Sequence, residues 1–345
     1  MLLNKLFIKK ILIIDGVENI IPQCTKYRVT HKAEQLTKMG YKVDIQNAST
    51  LQNIKINNYV KLIIYRCHDL SNIVQLVVNA KKYNVPTYYD IDDLVMDTKY
   101  TDMLEYTHSI SKEEKEAYDN GVKSYGRMLT YCDYAIASTS GMQDALSQYK
   151  PTILNRNVLS DYDLKLCKDA IMGGTKHQDI RIAFFSGSIT HNENFEMIKE
   201  DIIKILRNYE NTSLYLVGHI DLPKELETFK DRIDIKPYMS SELLPKLIAD
   251  VDINLAPLVD NTFNRAKSAI KWLEASSCNT VTIASNIGSF KDMIIDNKTG
   301  ILSNDDEWYE KLSMLVENTQ LRNDIASNAR KYVLKHCTTK NKIEF

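Results

Sequence analysis

The chain has 345 residues, with 44 Lys and Arg against 45 Asp and Glu and a formal net charge of −1. Hydrophobic residues at 44% and charged residues at 26% lie near the averages for folded chains, which excludes disordered, collagen-like and low-complexity classes. Without a net positive field no nucleic acid partner is expected.

Strand and helix patterns then alternate from end to end. Ile11–Asp15 is a β-branched run suited to a parallel strand buried on both faces. A helical pattern over 27–39 stops at Gly40. Strands are expected at Lys42–Ile45, Val60–Tyr65, Thr87–Asp90 and Tyr134–Ala137, with a helix over Ile73–Ala80. Ser111-Lys-Glu-Glu114 is a capping box opening a helix towards Leu129, and Ser138 or Thr139 caps the next one. A looser polar stretch follows, containing Gly173-Gly174. A second series has strands at Arg181–Ser186, Ser213–Val217, Ile233–Lys236, Val251–Leu255 and Thr280–Ala284, and closes in a helix from Leu321 to Lys335. Two successive βα series predict an α/β protein of two Rossmann-like, doubly wound domains facing a cleft. The expected boundaries are 1–160 for the first domain, 161–179 for a linker and 180–345 for the second.

Six dispersed cysteines, with no Cys-x-x-Cys pair, argue against a zinc ribbon, a thioredoxin-like site or a disulfide scaffold. A cytoplasmic setting is expected. No apolar run approaches the roughly 18 residues that span a bilayer. The start, Met1 to Lys10, mixes apolar and basic residues without a small-residue cleavage site. It reads as a lead-in to the first strand or as a peripheral contact with the inner membrane face.

Chemistry is expected at strand carboxyl ends. The turn Ser186-Gly187-Ser188, followed by His191 and a helix near Asn194, places backbone N–H groups where a phosphate can be held; the alternative is a plain structural turn. With only 11 glycines in the chain, roughly half of average usage, such a turn works with a single glycine. After the strand ending at Leu255, a predicted helix carries Lys267 and Ser268 in its first turn and Glu274 two turns on. A lysine there opposes the helix dipole unless it shares an anion, so the spacing fits a diphosphate and its ribose. The competing reading is a solvated amphipathic helix. Asp90-Ile-Asp92-Asp93 invites metal binding or, alternatively, a turn capped by aspartates. No metal-binding histidine spacing, nucleophile elbow or Walker loop is present.

Ala249–Leu258, Phe263-Asn264, Lys267-Ser268 and Ile270-Lys-Trp-Leu-Glu274 resemble the donor-binding region of bacterial GT-B glycosyltransferases of family four. Ser186-Gly187-Ser188 with Thr190-His191, Ile21–Val29 and Tyr89–Val95 resemble one branch of that family, associated with rhamnose-rich or other cell-surface polysaccharides. The similarity runs over nearly the whole chain. It implies a retaining transfer of a sugar from a nucleotide diphosphate donor to a glycan or lipid-linked acceptor. The nucleotide sugar is then a substrate, and neither a cofactor nor a metal is expected. The resemblance places Ser186, Gly187, Ser188, His191, Tyr238, Asn264, Lys267, Ser268 and Glu274 on the donor. Arg28, Asp90 and His108 fall on the acceptor side, and Lys267, Asp92 and Asp93 are the catalytic candidates. The family usually has a second glutamate before the one at Glu274; here that position is Ala266. That departure keeps a non-catalytic GT-B subunit, binding glycan or a partner glycosyltransferase, as the alternative; a sugar-nucleotide epimerase is the third reading.

Overall fold

Short aliphatic strands separated by amphipathic helices favour parallel sheets, because each crossover helix covers a face of the sheet it connects. The computed structural model describes residues 9–18, 20–174, 177–187 and 192–345. Residues 1–8, Ser188, Thr190 and His191 lie outside them, and with them the proposed membrane-touching start and half of the expected phosphate turn. The chain forms two compact units. The first takes the chain up to Val158 together with Ala266–Ser268 and Thr339–Phe345; the second takes Leu159–Arg265 and Ala269–Thr338.

The first unit holds β1 (Lys10–Asp15), β2 (Lys42–Asn47), β3 (Lys61–Tyr65), β4 (Thr87–Ile91), β5 (Tyr134–Ala137) and β6 (Thr152–Leu154). Their order is β2-β1-β3-β4-β5-β6, with every pairing parallel. Central β4 is buried at all five residues, whereas edge strand β2 exposes Lys42, Ile45 and Asn47. Ile11, Ile13, Ile63, Tyr65 and Ile136 form its core, joined by Ile343 from the chain's end. Because the connections leave β1 in opposite directions, the carboxyl ends of β1 and β3 flank the switch point where such sheets bind ligands. The helical stretch after β1 is not one helix. Pro22–Thr25 runs into a π turn, Lys26–Thr30, and then into His31–Lys38. The π turn buries Tyr27, Arg28 and Val29 in succession. The capping box at Ser111 opens the helix Lys112–Tyr131 as expected, and Thr139 caps Ser140–Ser147.

The second unit holds β7 (Ile180–Ser186), β8 (Thr212–Gly218), β9 (Ile233–Lys236), β10 (Ile253–Ala256), β11 (Val281–Ser285) and β12 (Ile301–Ser303). All pair in parallel, in the order β12-β11-β10-β7-β8-β9. Ile182, Phe184, Leu214, Leu216, Leu255 and Trp308 belong to its core. Its switch point lies between β7 and β10.

Two boundaries differ from expectation. Residues expected as a linker form the helix Asp161–Met172, because Ser160 and Asp163 cap it reciprocally, and this helix belongs to the second unit. The last residues, expected in the second domain, belong to the first: Ile343 is buried in its core and Thr339 donates to Glu34 at 2.6 Å. Among the described residues no helix is long and apolar enough to cross a membrane.

Candidate active site

In the first unit, the carboxyl ends of β1, β3 and β4 converge on a charged cluster. Arg66 follows β3 with φ +46°, a conformation that costs a non-glycine residue free energy and persists only where its surroundings enforce it. They do so here: its N–H donates to the Asp90 carbonyl at 2.9 Å, and a side chain at Gly16, after β1, would overlap the Arg66 carbonyl. The guanidinium reaches Asp92 at 3.3 Å and Asp93 at 3.2 Å, just beyond β4. Tyr65 donates its hydroxyl to Asp92 at 3.0 Å. Lys267 completes the cluster, its Nζ 3.5 Å from Asp93 Oδ1. Two candidates 174 residues apart are thus neighbours.

These contacts drive the adjacent carboxyls in opposite directions. Burial, and then the charge of Asp93, raises the Asp92 carboxyl above its ordinary range. Burial also opposes ionisation of Asp93, but Lys267 and Arg66 overcome it and hold Asp93 below that range. A split of this kind gives neighbouring carboxyls different roles: one a fixed negative charge, the other a stronger hydrogen-bond acceptor. Arg66 was missed in the sequence, where an arginine after a strand carries no motif.

Lys267 does not stand in a helical first turn. The helix bearing Glu274 is Ile270–Ser277, and Ala266–Ser268 connect it to Thr262–Arg265. The dipole argument for an anion therefore does not apply to Lys267, nor does a shared helical face with Glu274. Two other contacts hold the segment: Thr139 Oγ1 donates to the Ala266 carbonyl at 2.9 Å, and Asn157 Nδ2 donates to Ser268 Oγ at 3.1 Å.

Arg28 and Asp90, expected to face an acceptor, are buried against each other at 1% and 0% exposure. Arg28 donates to Asp90 Oδ1 through Nε at 3.0 Å and Nη2 at 2.7 Å. Its Nη1 donates to the Asn155 carbonyl at 2.7 Å and to Asn157 Oδ1 at 3.0 Å. Lys32 pairs with Asp90 Oδ2 at 2.7 Å and donates to Asn155 Oδ1. Burial, reinforced by the Arg28 charge, lowers the Lys32 amine to about 8. This is an internal ionic network, reached because the π turn aims Arg28 inward. His108 is exposed on the helix Glu105–Ser109, its Nε2 2.9 Å from the Asp102 carbonyl.

The second unit is described by its own switch point. Ser186 ends β7, and its hydroxyl donates to the His219 carbonyl at 2.8 Å. Gly218, with φ +103°, could not carry a side chain, which would overlap the Ser186 carbonyl; Gly187 has open space around it. The His219 and Tyr238 rings stack with centroids 5.6 Å apart and planes 20° apart, and Tyr238 is 47% exposed. Asn264 organises a loop: its amide donates to the Val259 carbonyl at 2.9 Å and to Asn194 Oδ1 at 3.4 Å. Glu274 is half-buried on its helix.

Residues 180–318 match the family described as "Glycosyl transferases group 1", a span that includes Ser186, Gly187, Tyr238, Asn264, Lys267 and Glu274. Sucrose-phosphate synthase (tll1590) from Thermosynechococcus elongatus aligns with a TM-score of 0.60 at 14% identity, over 96% of this chain and 95% of that one. A glycosyltransferase from Rickettsia africae ESF-5 gives 0.58 at 16%, over 96% and 95%. Anabaena Alr3699/HepE in complex with UDP and glucose gives 0.57 at 13%, over 96% of both. No curated protein sequence matches the chain significantly. At these identities the likeness is one of fold, and that fold is GT-B: two Rossmann-like units, each on a six-stranded parallel sheet.

Proposed function

We propose that the protein is a glycosyltransferase that moves a sugar, with retention, from a nucleoside diphosphate donor to a hydroxyl of a glycan or lipid-linked acceptor. The context proposed is synthesis of a bacterial surface polysaccharide or glycoprotein glycan on the cytoplasmic side. The observation that carries this reading is the group 1 match over residues 180–318, within a chain that has the GT-B fold throughout. The UDP and glucose bound by Anabaena Alr3699/HepE support a sugar nucleotide as donor.

In this reading the base rests on Tyr238 beside His219, and the ribose hydroxyls donate to Glu274. Backbone groups of Ser186, Gly187 and Ser188, with His191, meet the diphosphate, and Asn264 shapes the loop beside them. Lys267 and Ser268 meet the leaving phosphate. Transfer breaks the bond from the anomeric carbon to the diphosphate oxygen and forms one to the acceptor oxygen, whose proton leaves with the diphosphate. Negative charge grows on that leaving group, so a fixed cation at Lys267 favours the transition state over the ground state. Asp93 holds the lysine in place, Asp92 accepts from the acceptor hydroxyl and orients it, and Arg66 ties both carboxylates down. His108 is assigned to the acceptor side.

Release of nucleoside diphosphate from a panel of nucleotide sugars, with and without glycan acceptors, tests the reading. Acceptor-dependent release from one donor is expected. Binding of a donor without release would favour the non-catalytic subunit, and a free epimerised sugar nucleotide would favour an epimerase.

A further inference from the structure

We infer that Thr139 and Asn157 are positioning residues for Lys267, one fixing the peptide before it and the other the residue after it. The catalytic consequence rests on the glycosyl-transfer reading; the structural claim does not.

Ala266–Ser268 lie outside regular structure, between two helices, and a lysine stem is long and freely rotating. Something must hold it if its amine is to meet one point. Thr139 is 1% exposed, and its Oγ1 already accepts from the Met142 N–H at 3.0 Å as a helix cap. A hydroxyl has one proton, and here that proton is directed to the Ala266 carbonyl at 2.9 Å. The cap and the tether are therefore made by one atom.

Asn157 is 7% exposed, and the orientation of its amide is decided by its neighbour. Arginine only donates, so the oxygen of Asn157 must face Arg28 Nη1, 3.0 Å away. The nitrogen is thereby turned to Ser268 Oγ, 3.1 Å away. Arg28 is in turn immobilised by Asp90 and the Asn155 carbonyl. The buried ionic network thus acts as a base plate that ends at the residue next to Lys267. With both flanking positions fixed, only the stem remains, and its amine lies 3.5 Å from Asp93.

The test uses Thr139→Val, Thr139→Ser and Asn157→Leu in the full chain, with thermal unfolding to establish that each folds. The first readout is the titration of Asp93 by carboxyl NMR, which needs no substrate. Asp93 faces Lys267, Arg66 and Asp92, with Cys24 and Tyr118 also near it. If Lys267 drifts, Arg66 still lowers the Asp93 midpoint but the larger Lys267 contribution is lost, so the midpoint rises. Thr139→Val and Asn157→Leu are expected to raise it, and Thr139→Ser to restore it. The second readout is turnover, expected to fall roughly 10- to 100-fold in the same two variants with little change in donor KM. If Asp93 titrates as in the wild type in both variants, the positioning role is overturned even if turnover falls. If Asp93 shifts but the wild type transfers no sugar, positioning stands and the glycosyl-transfer reading fails. Should Asn157→Leu not fold, the Thr139→Val and Thr139→Ser pair decides.

Discussion

Arg28, Lys32 and Asp90 place two cations and one carboxylate inside the first unit, all at 1% exposure or less. Burying charge is tolerated only where partners compensate it, and removing one partner leaves the others uncompensated. Asp90→Asn is therefore expected to destabilise the fold by about 3–5 kcal/mol in urea unfolding, whereas a merely acceptor-facing aspartate would leave stability nearly unchanged. Lys32 adds a pH signature. Its folded pKa of about 8 lies below the 10.5 of a free lysine. Below the lower value both states hold the proton and its contribution is flat. Between the two values the unfolded chain holds a proton that the folded one has released, so stability rises with pH. Compared with Lys32→Met, the wild type should gain stability from pH 8 towards 10.5; a flat difference would show that the amine is not depressed.

At the scale of elements, the two glycines near the β7 carboxyl end should behave differently. Gly218→Ala meets both a positive φ and an overlap with the Ser186 carbonyl, and should cost at least about 1–3 kcal/mol. Gly187→Ala, in open space, should lie within roughly 0.5 kcal/mol of the wild type, so any loss of nucleotide affinity there can be assigned to the site. Thermal unfolding midpoints separate the two. Strand runs and the Ser111 capping box were legible because they rest on neighbours in sequence. The three-residue strands β6 and β12 are too short to show a period. The helix Asp161–Met172 has an equally local cap in Ser160 and Asp163, but it lies in a polar stretch that runs to Gly173-Gly174 and therefore reads as a linker. The helix start before Glu274 was misplaced for the opposite reason: good helix formers at Ala266 and Lys267 extend the pattern beyond the structure. What could not be read at all depends on distant partners. Nothing local in the π turn announces that Arg28 will bond a carboxylate 62 residues away, or that Lys267 will meet Asp93.

For the whole molecule, the GT-B fold sets where a sugar nucleotide should act without naming it. A nucleoside diphosphate at about 100 times its dissociation constant should add roughly 2.7 kcal/mol to stability, and a panel of bases read by thermal unfolding should single one out. Asp92 and Asp93 are already engaged by Arg66, with Lys267 also on Asp93, so turnover is expected to survive excess chelator; loss restored by manganese or magnesium would overturn that expectation. The most direct test of sugar transfer at this cluster is the turnover rate of Lys267→Ala on the donor so identified. It should remain folded, with at most a modest fall in unfolding midpoint, because Arg66 still compensates Asp93 when the Lys267 pair is lost. Its kcat should fall on the order of a hundredfold or more with only a small rise in donor KM, as when a group that stabilises developing charge is removed. A folded Lys267→Ala protein that turns over at the wild-type rate would contradict the assignment.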